Sequence, residues 1–265
     1  MLAKSLPQLS LDVLGVVACY ALCGPACSGV EPQWLFSFGC QGKGDGQFMD
    51  DNGCIACSPD GNVWVSDNVR VQVFANDGRF LFHVNPMPEW QWHDPTYPVH
   101  LHRRPCGIAF DANASIAFIS DWYENRIGVY TLDGIYLHCF GKFGHSNGQF
   151  AHCSALAVVP PPLRARAHKA DLLVLDRGNR RIQALKKDGK FVRAWRTDAE
   201  WSEQKDRTFV KVNGKRNDAY AKGMALATSG DLFVTDFKNN RIQVQKAQTN
   251  VNSTVAAVAV VCISH

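Results

Sequence analysis

Four acid–base pairs carry the first chemistry visible in this chain. In LLVLDRGNRRIQALKKDGKF (172–191), Asp176 is followed five residues later by Arg181. A carboxylate and a guanidinium brought together across a turn form a bidentate, charge-assisted pair. In a cleft, such a pair is a candidate acid or anion site. The same spacing returns as Asp121/Arg126 and Asp236/Arg241, and in a shorter copy as Asp67/Arg70. The Asp residues are 54, 55 and 60 positions apart. A single active site is not repeated at such a period, whereas units of a repeat protein share framework residues. The pairs therefore read as turn braces, each carboxylate accepting backbone N–H groups of the turn after its strand.

Other side chains offer less. HDPTYPVHLHRR (93–104) holds His93, His100 and His102. Alternate residues of a strand face one way, so His-x-His suits a metal. Here the segment is rich in Pro and no spacing fixes a third ligand, so it reads as a surface loop. Trp90, Trp92 and Tyr97 nearby either line a ligand mouth or cover a sheet edge. Cys54 and Cys57 form a CxxC, but a strand would send the two thiols to opposite faces and no second CxxC exists. The ten cysteines fit disulfides better than zinc, with buried thiols the plainer alternative. RARAHK (164–169) and KVNGKR (211–216) read as solvated loops, without the interleaved aromatics that stack single-stranded nucleic acid. No P-loop, GxSxG, HExxH or calcium-loop pattern is present.

The elements around the pairs are strands. The apolar residues alternate or run in short β-branched blocks such as NVWVSD and DLFVTD. Residues 54–81, 106–137 and 223–245 repeat the pattern of 172–191: strand, turn, strand ending in Asp, polar turn, strand. A second signature interleaves: FGCQGKGDGQF (38–48) and FGKFGHSNGQF (140–150) have matching ends and length. Such a period with several strands per unit means a propeller, in which small sheets hide their faces by stacking around an axis.

The G-x-A start, V-x-D strand end, D-x-x-N-x-R-I-Q turn and D-G hairpin resemble the NHL repeat, a β-propeller blade, over roughly residues 34–246. Within that class, NGQF…ALAVVP…LLVLDRGNRRIQ…FVRAW (147–195) is most similar to the peptidylamidoglycolate lyases. That resemblance implies a secretory propeller enzyme whose central zinc, held by histidines, serves removal of glyoxylate from a C-terminal hydroxyglycine to leave a peptide amide. The positions matching its three metal histidines are Gly53, Ser154 and Lys222, none of which suits zinc. His152 lies two residues from one of them. Tyr123 falls where the lyases place a tyrosine, and otherwise reads as a blade-turn aromatic.

The expectation is an all-β NHL-type propeller over 34–250, with four clear blades and room for five or six, either incomplete or closed by the N-terminal strand WLFSFG (34–39) on the last blade. Residues 1–29 have the outline of a signal peptide, and 251–265 form a tail or extra strand. Asn113 and Asn252 lie in glycosylation sequons. These features point to the secretory pathway or exterior, with the cytoplasm as alternative. No run reaches the ~18–20 apolar residues of a membrane span. The expected function is non-catalytic binding of a peptide or protein on the propeller face, without a cofactor. The alternatives are a lyase-like enzyme, the one case that brings in zinc, and RNA binding. An open ring would expose sheet faces and invite self-association.

Overall fold

The computed structural model describes residues 35–49, 53–67, 69–84, 104–164, 169–197, 221–227, 229–236, 241–245 and 257–258. It is an all-β structure of four antiparallel sheets, each built from strands consecutive in the chain. Two short strands, β1 (Cys40–Gln41) and β2 (Gln47–Phe48), pair in parallel ahead of the first blade. Blade 1 contains β3 (Cys54–Cys57), β4 (Val63–Ser66), β5 (Val71–Phe74) and β6 (Phe80–His83). Blade 2 contains β7 (Pro105–Asp111), β8 (Ile116–Asp121), β9 (Arg126–Thr131) and β10 (Tyr136–Phe140). Blade 3 contains β11 (Cys153–Val158), a single helical turn α1 (Pro161–Arg164), β12 (Leu172–Asp176), β13 (Arg181–Leu185) and β14 (Phe191–Arg196). Blade 4 contains β15 (Ala221–Ala227), β16 (Leu232–Asp236) and β17 (Arg241–Gln245). Its fourth strand, β18 (Ala257–Val258), pairs with β15 rather than with β17.

Short blocks of Val, Ile, Leu and Phe become strands because neighbouring blades cover blades 2 and 3 on both faces and blades 1 and 4 on one, which favours continuous apolar runs. The turns carry Gly where the backbone needs positive φ. Gly78, Gly134 and Gly189 sit at φ 84, 76 and 85 in the three D-G hairpins before the outer strands β6, β10 and β14.

The core is a series of inter-blade seams built from equivalent positions. Between blades 1 and 2, Trp64, Val71 and Val73 meet Ile108, Ile119 and Tyr130. Between blades 2 and 3, Phe118, Ile127 and Val129 meet Leu156, Leu172 and Val174. Between blades 3 and 4, Leu173, Ile182 and Ala184 meet Met224, Leu232 and Val234. Trp64 is fully buried and lies edge-on to Phe110 at 5.3 Å, a pairing that adds about 0.5–1.5 kcal/mol beyond its buried area.

One expectation meets a different arrangement. Residues 35–38 do not extend blade 4: Phe38 packs against Phe74 of blade 1 at 5.0 Å, while Leu35 and Phe36 stay exposed. The six described cysteines (Cys40, Cys54, Cys57, Cys106, Cys139 and Cys153) form no disulfide with one another. Among the described residues, no helix is long and apolar enough to cross a membrane.

Candidate functional site

The blade turns hold the end of the propeller at which the inner strands begin. In blade 3, Asp176 Oδ2 accepts from Arg181 Nε at 2.7 Å, Asn179 Nδ2 at 2.8 Å and Gln183 Nε2 at 3.0 Å. Its Oδ1 accepts from the Ala151 amide at 2.7 Å. Arg181 then reaches forward to the Ser146 and Gln149 carbonyls at 2.8 and 2.9 Å. Burial pushes the Asp176 carboxyl above its ordinary value, against the opposing pull of Arg181 and these donors. Blade 1 repeats the device: Arg70 Nε lies 3.2 Å from Asp67 and its other nitrogens grip the Lys43, Gly44 and Gln47 carbonyls. The interleaved FG…GQF segments are thus what the arginines hold.

Blade 2 departs from this pattern. Asp121 Oδ1 accepts from the Tyr123 and Glu124 amides at 3.0 and 2.9 Å, but its buried Oδ2 has no hydrogen-bond partner. Arg126 turns to Glu124, at 3.8 Å. The sequence before this blade holds the His- and Trp-bearing insert in place of an FG…GQF segment. Burial raises the Asp121 carboxyl to about 6. In blade 4, Asp236 accepts from Gln243 Nε2 at 2.9 Å, and Arg241 opens β17 in register with it.

Antiparallel pairing puts the end of each second strand beside the start of its inner strand: Asp121 faces Pro105, Asp176 faces Cys153 and Asp236 faces Ala221. The turn after each Asp therefore opens at the end of the channel where the inner strands begin. The positions Gly53, Ser154 and Lys222 lie there, and Cys106 of blade 2 is their equivalent. A Cβ on Gly53 would stand 3.7 Å from the Cys106 Cα, and one on Gly107 would meet the Ser154 carbonyl at 2.2 Å. The inner strands are this close because Gly53 and Gly107 carry no side chain at those points.

The rim is aromatic and cationic. The Arg104 guanidinium lies 5.0 Å from the Trp122 ring centre, and the Arg104 carbonyl accepts from the Trp122 amide at 3.1 Å. Trp122 stacks on His152 at 4.0 Å and meets Tyr123 edge-on at 4.9 Å. The His152 amide donates to Asn125 Oδ1 at 2.5 Å, tying this shelf to the blade 2 turn. Tyr123 is exposed. Arg177, the residue after Asp176, acts electrostatically on both Cys106 and Lys222. Burial first, and Arg177 second, lower the Lys222 ammonium below its ordinary value. Burial pushes the Cys106 thiol up to about 12, so it is protonated at neutral pH and is neither a nucleophile nor a ready metal ligand.

This ring does not suit zinc. Gly53 offers no donor, Ser154 a weak one, Lys222 a cation and Cys106 a neutral thiol beside two arginines. Among the described residues no three His, Cys, Asp or Glu side chains converge as a metal site. His93, His100, His102, Trp90, Trp92, Tyr97 and Asn252, and the KVNGKR segment, lie outside the described residues. Arg164 of RARAHK is bound inward, to Asp111 at 3.0 Å, Asp171 at 3.3 Å and the Val159 carbonyl. Asn113 is exposed in the turn between β7 and β8. Reading the braces alone misses Arg104, Trp122, Arg177 and Cys106. The signal that finds three of them is positional: the residue after each blade Asp, and the residue before each G-x-A.

The NHL repeat model matches residues 219–244. The chain is 30% identical over 164 residues, 58% of its length, to peptidylglycine alpha-amidating monooxygenase of Rattus norvegicus, and equally to that of Mus musculus. It spans 15% of the length of those relatives. Among solved structures it is similar to a streptogramin B lyase (TM-score 0.43, 16% identity, 75% of this chain and 70% of that one). A catalytically inactive virginiamycin B lyase from Staphylococcus aureus with quinupristin is similar too (TM-score 0.44, 17% identity, 79% and 72%). The chain is an all-β, four-bladed propeller arrangement with an NHL repeat match over residues 219–244.

Proposed function

We propose that the protein is a binding propeller that receives a peptide or protein segment at the channel mouth, with an acidic group directed toward Arg104, Arg177 and Lys222. The observation that carries this reading is the pairing of an aromatic shelf, Trp122 stacked on His152, with cations at the channel end. A flat aromatic surface beside a guanidinium takes up extended peptide and fixes a carboxylate by charge-assisted hydrogen bonds. A cofactor has no part in this role.

Isothermal titration with peptides ending in a free carboxylate tests it. The reading expects Arg177→Ala and Trp122→Ala each to weaken binding by about 10-fold or more, since a hydrogen bond to a charged group contributes about 1.5–3 kcal/mol. Wild-type affinity for both variants, with the fold intact, would sink the reading. A second reading, a lyase-like enzyme, draws on the 30% identity to the amidating monooxygenases and on Tyr123 at the rim. Glyoxylate released from a hydroxyglycine peptide would support it; the binding reading expects none.

We also propose a secretory location, from the outline of residues 1–29 and the exposed Asn113 sequon. Enzymatic deglycosylation of protein made in a eukaryotic secretory host should raise gel mobility, and Asn113→Gln should reduce that shift. Absence of any shift would count against it.

A further inference from the structure

The three internal seams repeat position by position, and the two outermost blade faces are the unmatched halves of a fourth. On the forward side of blade 2, Phe118, Ile127 and Val129 are at most 1% exposed because blade 3 covers them. Their equivalents on blade 4 are Phe233, Ile242 and Val244. Phe233 is half-buried, while Ile242 is 64% and Val244 41% exposed. On the rear side of blade 3, Leu156, Leu172 and Val174 are fully buried against blade 2. Their equivalents on blade 1 are Ile55, Val63 and Val65. These cluster with Phe48, Phe74 and Phe80, and among the described residues Phe38 alone joins that cluster from outside blade 1 and its β1–β2 lead-in. Among the described residues, no hydrophobic cluster joins blade 4 to blade 1.

We infer that the forward face of blade 4 docks on the rear face of blade 1 of a second copy of this chain. The complement each face requires is the other face, because that pairing of positions already packs three times within the molecule. Residues 1–33 and 246–265 contain no Arg, and neither 85–103 nor 198–220 carries an Asp with Arg three or five residues on, so the brace that marks each blade of this repeat does not recur in those segments. The edge strands agree. WLFSFG (34–39) has the pattern of YLHCFG (136–141), whose strand β10 lies outside β9. Among the described residues β17 carries no strand on that side. Head-to-tail docking lays 35–38 of the second copy along it, covering Leu35 and Phe36 as well. The contact is heterologous, so it propagates until a ring closes or a filament forms. It uses the flanks of the end blades, not the channel mouth, and so stands independently of the binding reading.

Sedimentation velocity of the purified chain over a concentration series tests it. Wild type should shift from the 29.3 kDa monomer to at least twice that mass as concentration rises. Ile242→Asp with Val244→Asp should abolish the shift, as should Val63→Asp on the other face. Circular dichroism and melting temperature confirm that each variant is folded. Mixing the two variants should then give dimers that stop at two copies, because each retains one intact face. A wild type that remains monomeric overturns the inference, whether its faces are bare or covered by its own chain. So do variants that assemble as wild type does, or a mixture that stays monomeric.

Discussion

Asp121 and Asp176 occupy the same position in adjacent blades and differ in what surrounds them. Asp176 has four donors, Asp121 two and an unmatched buried oxygen. The Asp121 carboxyl, raised to about 6 against an ordinary 3.8, binds its proton more tightly folded than unfolded. Its contribution is therefore favourable below pH 4 relative to neutral pH and is lost as pH rises from about 4 to 6. Asp121→Asn keeps the acceptor for the Tyr123 and Glu124 amides and removes the buried charge. Chemical denaturation should show the variant more stable by about 1–3 kcal/mol at pH 7, at 1.36 kcal/mol per pKa unit, with the advantage gone at pH 4. Equal stability at both pH values would contradict this account of the turn. Asp176→Ala should act in the opposite sense, losing about 3–5 kcal/mol because the buried Arg181 guanidinium is left unmatched. The Asp and Arg spacing made the braces legible from the sequence. The different surroundings of Asp121 in blade 2 were not, since they lie outside the repeated Asp and Arg.

Among the elements, Gly107 at the start of β7 is a packing requirement. A Cβ on Gly107 would stand 2.2 Å from the Ser154 carbonyl and 3.1 Å from the Leu156 amide, both backbone atoms of the next blade. Gly107→Ala should cost about 1–3 kcal/mol as strands β7 and β11 are forced apart, read as a lower urea midpoint. An unchanged midpoint would mean that the inner strands are looser than described. The sequence showed the strands, the hairpins and the repeat because each depends on local pattern: alternation, Asp-Gly turns, strand-end Asp. It did not show the pairing of β18 with β15, or the packing of Phe38 on blade 1. These depend on which surface is left uncovered after the blades assemble, and no local pattern encodes that.

For the whole molecule, stacking four blades turns scattered residues into a mouth. Arg104 and Trp122 meet across blade 2, and Arg177 of the blade 3 turn acts electrostatically on the same Cys106 as Arg104, because antiparallel pairing sends the post-Asp turns to the end where the inner strands begin. Gly53, Ser154 and Lys222 were identifiable from the repeat as the inner-strand starts. The cationic and aromatic rim above them required the fold. The central claim is that this mouth reads an acidic group on an extended peptide. The direct measurement is the affinity of one bound peptide as its free acid and as its C-terminal amide, at low and high salt. The account predicts that the acid binds about 10-fold or more tightly at low salt and that the difference shrinks as screening grows. Equal affinity for acid and amide at both salt concentrations would contradict it.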